Sequence, residues 1–254
     1  MRYFRIFLLF FEHVYQYRSR IFVWFLVSLL HPLIYLLFWS GRGINTTGII
    51  TYYLFYIIAG GFFVHVEEDA RPDILEGQLS MYLMKPFSYL QLKFFSELPW
   101  RMIQGSMGFI VLSFIAFVFA VPIRIVGLPH EILLAIVIAF FGYCVMFMFK
   151  MIILLTAFWT IDISGFQQLS EMIVVICAGF IMPIYALSEP VQRIIYLTPF
   201  PYMIYFPVMA FMGNLSSSDY SRIFPVQVIW LVLFYGMYRT LWRKGIRKFT
   251  AVGI

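Results

Sequence analysis

The hydrophobic and polar positions of this chain alternate over tens of residues rather than over two to four. Long apolar runs are separated by short polar segments, and several runs reach the roughly 20 residues that a helix needs to cross a bilayer. We predict six transmembrane helices from these runs, at about residues 21–39, 49–66, 102–121, 132–159, 166–184 and 224–242.

The composition supports an all-α integral membrane protein built as one transmembrane domain. Of the 254 residues, 63% are hydrophobic and 12% are charged, whereas a soluble domain has roughly 45–50% apolar and about 25% charged residues. A soluble core of this size could not bury so much apolar surface. At the N-terminus, apolar residues at helical spacing alternate with charges, so we predict a helix in the membrane interface at residues 1–20, with an extension of the first span as the alternative.

Residues 67–101 form the only long charged stretch away from the two termini. Pro72 fits the first turn of a helix, and Gly77 ends that helix. Residues 78–84 predict a second short helix, and residues 89–98 predict a third. The apolar face of the second helix carries Leu79, Tyr82 and Leu83 at positions i, i+3 and i+4.

Residues 185–222 contain an apolar stretch that prolines interrupt. We predict short re-entrant helices on the outer side instead of a further crossing, because irregular backbone at membrane depth is tolerated only against protein or a wet cavity. This segment, together with the outer end of the fifth span, is a candidate outer gate, and its prolines are Pro183, Pro190, Pro199, Pro201 and Pro207.

The distribution of lysine and arginine favours six crossings with both termini in the cytosol. A seventh crossing would move the five basic residues of the C-terminus to the outside, and the bias would nearly vanish. With six crossings, the inside carries Arg2, Arg5, Arg18, Arg20, Arg71, Lys85, Lys93, Arg101, Arg239, Arg243, Lys244, Arg247 and Lys248, and the outside carries Arg42, Arg124, Arg193 and Arg222.

Motifs for catalysis are absent from the sequence. No phosphate-binding G-x-x-x-x-G-K-[ST] occurs, so ATP is not hydrolysed by this chain through a P-loop. His130 and Glu131 begin like a zinc-protease helix, but Leu134 stands where the second histidine belongs. Cys144 and Cys177 lie in apolar runs without metal-ligand spacing. The net charge of +6 comes mainly from residues beside the spans, and no nucleic-acid reader motif accompanies it.

Two ionisable residues fall within or near the membrane, Lys150 and Glu171. A charged side chain is costly in lipid and usually faces protein or water. Lys150 therefore lines a path through the membrane, pairs with Glu171 or Asp162, or extends to the cytosolic headgroups. Glu171 has the same alternatives.

The order of these features resembles the permease subunits of type-2 ABC exporters, in particular a branch long catalogued as a domain of unknown function within that clan. The motifs with this order and spacing run along most of the chain: Tyr17-Arg18, Asp73-Ile74-Leu75-Glu76-Gly77-Gln78-Leu79, Tyr82-Leu83-Met84-Lys85-Pro86, Ala157-Phe158-Trp159, Gly179, Pro183, Pro190, Leu197-Thr198-Pro199-Phe200, Tyr205-Phe206-Pro207, Trp230, Trp242 and Gly245. Many relatives have Arg-x-Gly-x-Leu where this chain has Glu76 before Gly77, and Arg where it has Lys85.

The resemblance implies a permease dimer docked on a dimer of ATP-binding subunits, with two different permeases or two copies of one. It implies that residues 78–84 form a coupling helix and that no cofactor binds this chain, ATP and Mg²⁺ being held by the partner. It also implies export of an amphipathic, lipid-like, peptide or toxic small molecule across a bacterial inner membrane. The residues expected to contact the ATPase are Gln78, Leu79, Tyr82, Leu83, Lys85 and Pro86.

Two other classes of function are alternatives to the exporter. A stand-alone ion-coupled carrier or channel would need intramembrane charges that titrate or bind ions, and Lys150 and Glu171 are the only candidates. A membrane-embedded enzyme would need polar groups that meet at one depth, and no such constellation is visible. Co-purification of an ATPase with this chain discriminates among the three.

Overall fold

The computed structural model describes residues 6–12, 18–40, 46–118 and 127–249, and within these ranges every regular element is a helix. Residues 6–12 form α1. The other α-helices are α2 (Arg18–Ser40), α3 (Thr46–Gly61), α4 (Val66–Leu75), α5 (Leu79–Leu83), α6 (Tyr89–Val118), α7 (Pro129–Leu155), α8 (Ser164–Cys177), α9 (Glu189–Tyr196), α10 (Phe200–Met203), α11 (Tyr205–Phe211) and α12 (Ser217–Gly245). Short 3₁₀ turns occupy Thr156–Phe158 and Ile184–Ala186.

Four helical segments in the described part of the chain are long and apolar enough to cross a membrane: Gly48–Leu75, Tyr89–Ile115, Pro129–Phe158 and Ser217–Gly245. They correspond to the second, third, fourth and sixth predicted spans. The first predicted span falls in α2, which has 23 residues. The chain is therefore a multi-pass membrane protein, and the count of six stays a prediction. Much of the predicted interfacial helix at 1–20 lies outside the described residues.

The fifth predicted span, at 166–184, differs from the structure. Helix α8 has only 14 residues and ends at Cys177, which is short of the roughly 20 residues needed to cross. The chain turns at Gly179, whose φ of 87° lies in the left-handed region, and the 3₁₀ turn follows. The sequence predicted a span that continues to residue 184 because the residues of this turn are also apolar.

Two helices continue through prolines at which the sequence predicts a boundary. Pro99 lies inside α6, so the predicted piece at 89–98 and the third span form one helix. Pro72 lies inside α4, which begins six residues earlier, at Val66. A proline in a helix interior costs about 3 kcal/mol. Packing on both sides of Pro99 offsets this cost, since Leu92 and Leu112 are both buried.

Helix α7 is the centre of the fold and contacts α4, α8, α10, α11 and α12. Its C-terminal end meets α4 through Lys150, whereas α10 and α11 pack against its middle, at Gly142 and Phe149. At Gly142 a β-carbon would come within 2.8 Å of the carbonyl oxygens of Tyr202 and Met203, so the missing side chain lets α10 pack directly on α7. The segment predicted as the coupling loop and the segment predicted as the outer gate thus both pack on α7, and the contacts of α10 extend to Phe149, next to Lys150.

The long helices expose large apolar side chains, as a helix does when lipid is its solvent. On α6, Phe109, Phe114 and Phe117 are exposed, and on α12 Ile229 and Val232 are exposed. No water-soluble fold would leave so much apolar surface uncovered.

Three tyrosines of α3 hold the turn that follows α8. The hydroxyls of Tyr52, Tyr53 and Tyr56 donate hydrogen bonds of 2.8, 2.8 and 2.5 Å to the carbonyl oxygens of Gly179, Ile181 and Ala178. Tyrosine near the start of a membrane span commonly lies at headgroup level. These three are instead fully buried, and their hydroxyls supply donors to the backbone carbonyls of the turn.

Candidate coupling site and buried charges

Helix α4 carries acidic residues that point both inward and outward. Its first turn holds Glu67, Glu68 and Asp69, where the positive end of the helix dipole favours negative charge. Glu67 points inward, and its Oε1 accepts a hydrogen bond of 2.5 Å from Lys150 Nζ on α7. Lys150 is 1% exposed. The structure thus contradicts extension to the headgroups and pairing with Glu171 or Asp162, because a carboxylate inside the protein is available.

The Glu67–Lys150 pair has a second contact and one unsatisfied atom. Lys150 Nζ also donates to Ser170 Oγ of α8 at 3.4 Å. Oε2 of Glu67 is buried without a hydrogen-bond partner. The pair therefore joins three helices, α4, α7 and α8, through a single ammonium group.

A second inward carboxylate anchors the C-terminal half of α4. Asp73 Oδ2 accepts hydrogen bonds from Lys93 Nζ at 2.5 Å and from the Tyr89 hydroxyl at 2.6 Å. Both partners lie in the first two turns of α6, and Asp73 and Tyr89 are buried. This contact ties α4 to α6 across the short helix α5.

A third buried pair lies one turn further along α6. Arg101 Nε donates to Glu97 Oε1 at 2.7 Å, and Arg101 Nη1 donates to Gln104 Oε1 at 2.7 Å. Glu97 Oε1 also accepts from the backbone N–H of His65, at 3.2 Å, just before α4. These charges bind the start of α4 to α6, so α4 is held at both of its ends.

On its outward side, α4 is tied to the polar turn between α7 and α8. Arg71 Nη2 donates to Asp162 Oδ1 at 2.7 Å. The hydroxyl and backbone N–H of Ser164 also donate to the Asp162 carboxylate, and these bonds with the nearby Arg71 lower the pKa of Asp162. The side chains are exposed, so this ion pair positions the turn and adds little stability.

Helix α5 has a buried anchor and an exposed tip. Gly77, with φ of 76°, makes the turn that leads into α5. Leu79 is fully buried and offers no contact surface, which differs from the prediction that it touches a partner. The exposed apolar residues are Met81, Leu83 and Met84, of which Met84 is 81% exposed. They stand beside Lys85 and Pro86, which are also exposed.

Gln78 and Tyr82 are the remaining predicted contact residues. The Gln78 amide donates to the Glu76 carboxylate at 3.0 Å. Tyr82 is half-buried, and the ammonium groups of Lys85 and Lys93 lie 5.0 and 4.9 Å from its ring centroid. Burial and the nearby Asp73 carboxylate raise the pKa of Tyr82, so its ring stays neutral and stabilises both cations.

The outer prolines all stand at or near the start of short helices. Pro183, Pro190 and Pro199 precede or begin such helices, and Pro201 and Pro207 lie in the first turns of α10 and α11. The first backbone N–H groups of a helix have no partner within the helix, so proline loses nothing there. All but Pro190 are buried, and their role as a gate stays a prediction.

Glu171, the second ionisable residue singled out from the sequence, is half-exposed on α8. Its Oε1 lies 4.0 Å from Nε2 of His65. The structure does not bring it to Lys150. Among the described residues, no group of three or more histidine, cysteine or acidic side chains could hold a metal ion.

The sequence did not single out Glu67, Asp73, Glu97 and Arg101 as buried. They lie in a segment whose polar composition predicted exposure to the cytosol. The i, i+4 spacing of Glu97 and Arg101 was a signal of pairing, but spacing does not report burial.

Comparison with known proteins gives one match. A family model described as ABC-2 family transporter protein matches residues 21–253. No curated protein and no solved structure was found to match the chain. The matched region contains both the segment 67–101 and the segment 185–222.

Proposed function

Because this chain belongs to the ABC-2 family of transporter proteins, as its sequence motifs indicated, we propose that it is the transmembrane permease subunit of an ATP-driven exporter. Its cargo is an amphipathic or lipid-like molecule, a peptide or a toxic small molecule, moved out of the cytosol across a bacterial inner membrane. ATP and Mg²⁺ bind to a separate ATPase subunit. The assembly is a dimer of permeases, with a second, different permease or a second copy of this chain.

One observation carries this proposal. The exposed apolar tip of α5 follows helix α4, which buried ion pairs connect to α6 and α7. Met81, Leu83 and Met84 are exposed in the connection between two membrane-length helical segments, and a soluble partner would bury them. Lys85 beside them suits an acidic rim on that partner.

The buried ion pairs of α4 transmit movement of α5 to the membrane helices. α4 is bonded to α7 through Glu67–Lys150 and to α6 through Asp73–Lys93. A displacement of the tip therefore moves α4, α6 and α7 together, because breaking either buried pair would leave a charge unpaired in the interior. The outer helices α10 and α11 also pack on α7, and the cargo leaves beside them.

The ion-coupled carrier is the rival function, and one observation favours it: Glu67 Oε2 is buried and without a partner. A carrier would use such an atom to take up a proton or cation. In the exporter the same carboxylate is structural. Purification of the chain from its native membrane in mild detergent separates the two, because an exporter brings an ATPase subunit and a carrier does not.

The decisive variant is Met84→Glu. A charge at this position removes the apolar contact without disturbing the core. One unpaired charge in an interface costs about 2 kcal/mol or more. We therefore expect one of two results: the purified complex keeps its ATPase activity but transports at least about tenfold more slowly, or the ATPase subunit no longer co-purifies. Met84→Leu keeps the apolar contact and should behave as the wild type. Wild-type coupled transport by Met84→Glu would refute the assignment of α5.

A further inference from the structure

A cavity of about 320 Å³ lies between the α5–α6 connection and the last turns of α12. Its wall is aromatic with one cation, and it includes Tyr82, Tyr89, Tyr235, Tyr238, Arg239 and Trp242. The four residues from α12 stand at i, i+3, i+4 and i+7, so they form one face of that helix. Leu83 of the exposed α5 tip borders the cavity, whereas Met81 and Met84 do not line it.

Stacked rings fix the wall of this cavity. The ring centroids of Tyr89 and Trp242 lie 5.2 Å apart with an interplanar angle of 18°, and those of Tyr238 and Trp242 lie 6.0 Å apart at the same angle. Tyr89 is further held by its hydrogen bond to Asp73. The site is therefore built in advance of any ligand.

The charge of the cavity is positive. Arg239 is exposed, and within the described part of the chain no carboxylate pairs with it. Asp73, the carboxylate behind the wall, is already neutralised by Lys93 at 2.5 Å. Lys85 adds a second cation, 5.0 Å from the Tyr82 ring. An anion that enters the cavity meets an unpaired guanidinium and no competing acid.

The place of the cavity in the fold selects the kind of anion. It lies at the basic end of a membrane-length helix, and the residues after Arg239 include Arg243, Lys244, Arg247 and Lys248. Tyrosine and tryptophan are the residues that sit at headgroup level. Tyr235 is 48% exposed, and Val232 and Leu233, one turn before it, are exposed as well, which gives an acyl chain an apolar surface beside the cavity.

We propose that this cavity binds the phosphate headgroup of an anionic phospholipid. Arg239 donates paired N–H groups to the phosphate oxygens, as guanidinium does with phosphate. The tyrosines contact the glycerol part, and the acyl chains run along α12. The cavity holds only the headgroup, because its volume is at the lower end of the roughly 300–1,000 Å³ of ligand pockets. Basic pockets between membrane helices are suited to such lipids.

The bound lipid would connect two moving parts. Tyr82 and Tyr89 belong to the coupling segment, whereas Tyr238 and Arg239 belong to α12, so the headgroup bridges them. On the premise of the proposed exporter function, an anionic lipid then strengthens the transmission of movement from α5 to the spans. The binding itself does not depend on that premise.

The test measures lipid binding by native mass spectrometry of the purified full chain, titrated with phosphatidylglycerol or with phosphatidylcholine of the same acyl chains. We compare wild type, Arg239→Gln, Arg239→Lys and Arg247→Gln. Arg247 is the matched control, because it removes an equal charge at the same end of the chain and does not line the cavity. No ATPase or cargo is needed, so the result is independent of the proposed function.

We expect the wild type to prefer phosphatidylglycerol, and Arg239→Gln to weaken its binding by about tenfold or more, the effect of losing a charge-assisted hydrogen bond. Arg239→Lys should be intermediate, and Arg247→Gln should match the wild type. Equal binding by Arg239→Gln and wild type overturns the proposal. Equal losses in both glutamine variants overturn it too, since general surface charge would explain them. Unchanged lipid binding with loss of the co-purified ATPase in Arg239→Gln would assign the cavity to a protein partner.

Discussion

At the scale of single residues, this protein keeps several charges inside and satisfies them with each other. Lys150 and Glu67 are each 1% exposed, and taking an isolated charge out of water costs several kcal/mol. Their contact at 2.5 Å recovers part of that cost. The pair is therefore best understood as a joint between α4 and α7 rather than as a source of net stability.

The Glu67–Lys150 pair leads to a prediction about the free energy of unfolding. Glu67→Gln or Lys150→Met alone should lower the free energy of unfolding by about 3–5 kcal/mol, because each leaves an unpaired buried charge. The double variant should lose less than the sum of the two. Thermal unfolding of the detergent-purified protein measures all three. Glu171→Gln, at a half-exposed site, should stay within about 0.5 kcal/mol of the wild type, and additive losses in the double variant would contradict the joint.

At the scale of elements, close helix contacts are made where a side chain is missing. Gly61 on α3 faces the backbone of Gln104 on α6, and Gly142 on α7 faces the carbonyl oxygens of Tyr202 and Met203. Small residues are the usual means of close helix approach in membranes, because lipid gives helices no hydrophobic reason to associate. The Gln227 amide donates to the carbonyl oxygens of Ile138 and Tyr202, so α12, α7 and α10 are held together.

Gly142→Ala tests this contact. The added β-carbon would lie 2.7 Å from the Met203 carbonyl oxygen, and backbone cannot yield as a side chain tip does. We expect a loss of about 1–3 kcal/mol in the free energy of unfolding, the usual cost of overpacking. Gly236→Ala is the matched control, since open space surrounds Gly236 and alanine favours a helix by about 1 kcal/mol. Equal behaviour of the two variants would show that α10 does not need this close approach.

At the scale of the whole molecule, α7 contacts both the segment predicted to couple and the segment predicted to form the outer gate. Lys150 meets α4 near one end of α7, whereas Ile138 meets Gln227 and α10 nearer the other. Twelve residues of helix between them correspond to about 18 Å along the axis. We therefore predict that a displacement of α4 is passed to the outer helices through α7, which contacts both.

The orientation of these ends is tested by cysteine labelling in a chain without Cys144 and Cys177. Lys85→Cys, beside α5, should react with a membrane-impermeant maleimide only in inside-out vesicles. Arg193→Cys on α9, whose side chain is 81% exposed, should react only in intact cells. The reason is the excess of lysine and arginine that the predicted topology places inside. Reaction of both from one side would contradict the six-span topology.

The sequence determined the class of the protein, the order of its segments and its family. Apolar runs long enough to cross a bilayer are a local property, and so are the prolines that break the outer segment into α9, α10 and α11. The motifs around Gly77 and Pro199 predicted the family that the comparison confirmed. These features depend on a residue and its near neighbours, which the sequence displays directly.

Only the tertiary structure decided which polar groups are buried and what they touch. Lys150 pairs with Glu67, 83 positions away, and Tyr52 caps a turn 127 positions away. A residue's cost of transfer from water is visible in the sequence, but the partner that offsets the cost is not. Pro99 shows the same limit, because its local preference predicts a break, whereas the packing of α6 on both sides keeps the helix continuous. Burial and pairing are set by residues that meet only when the chain is folded.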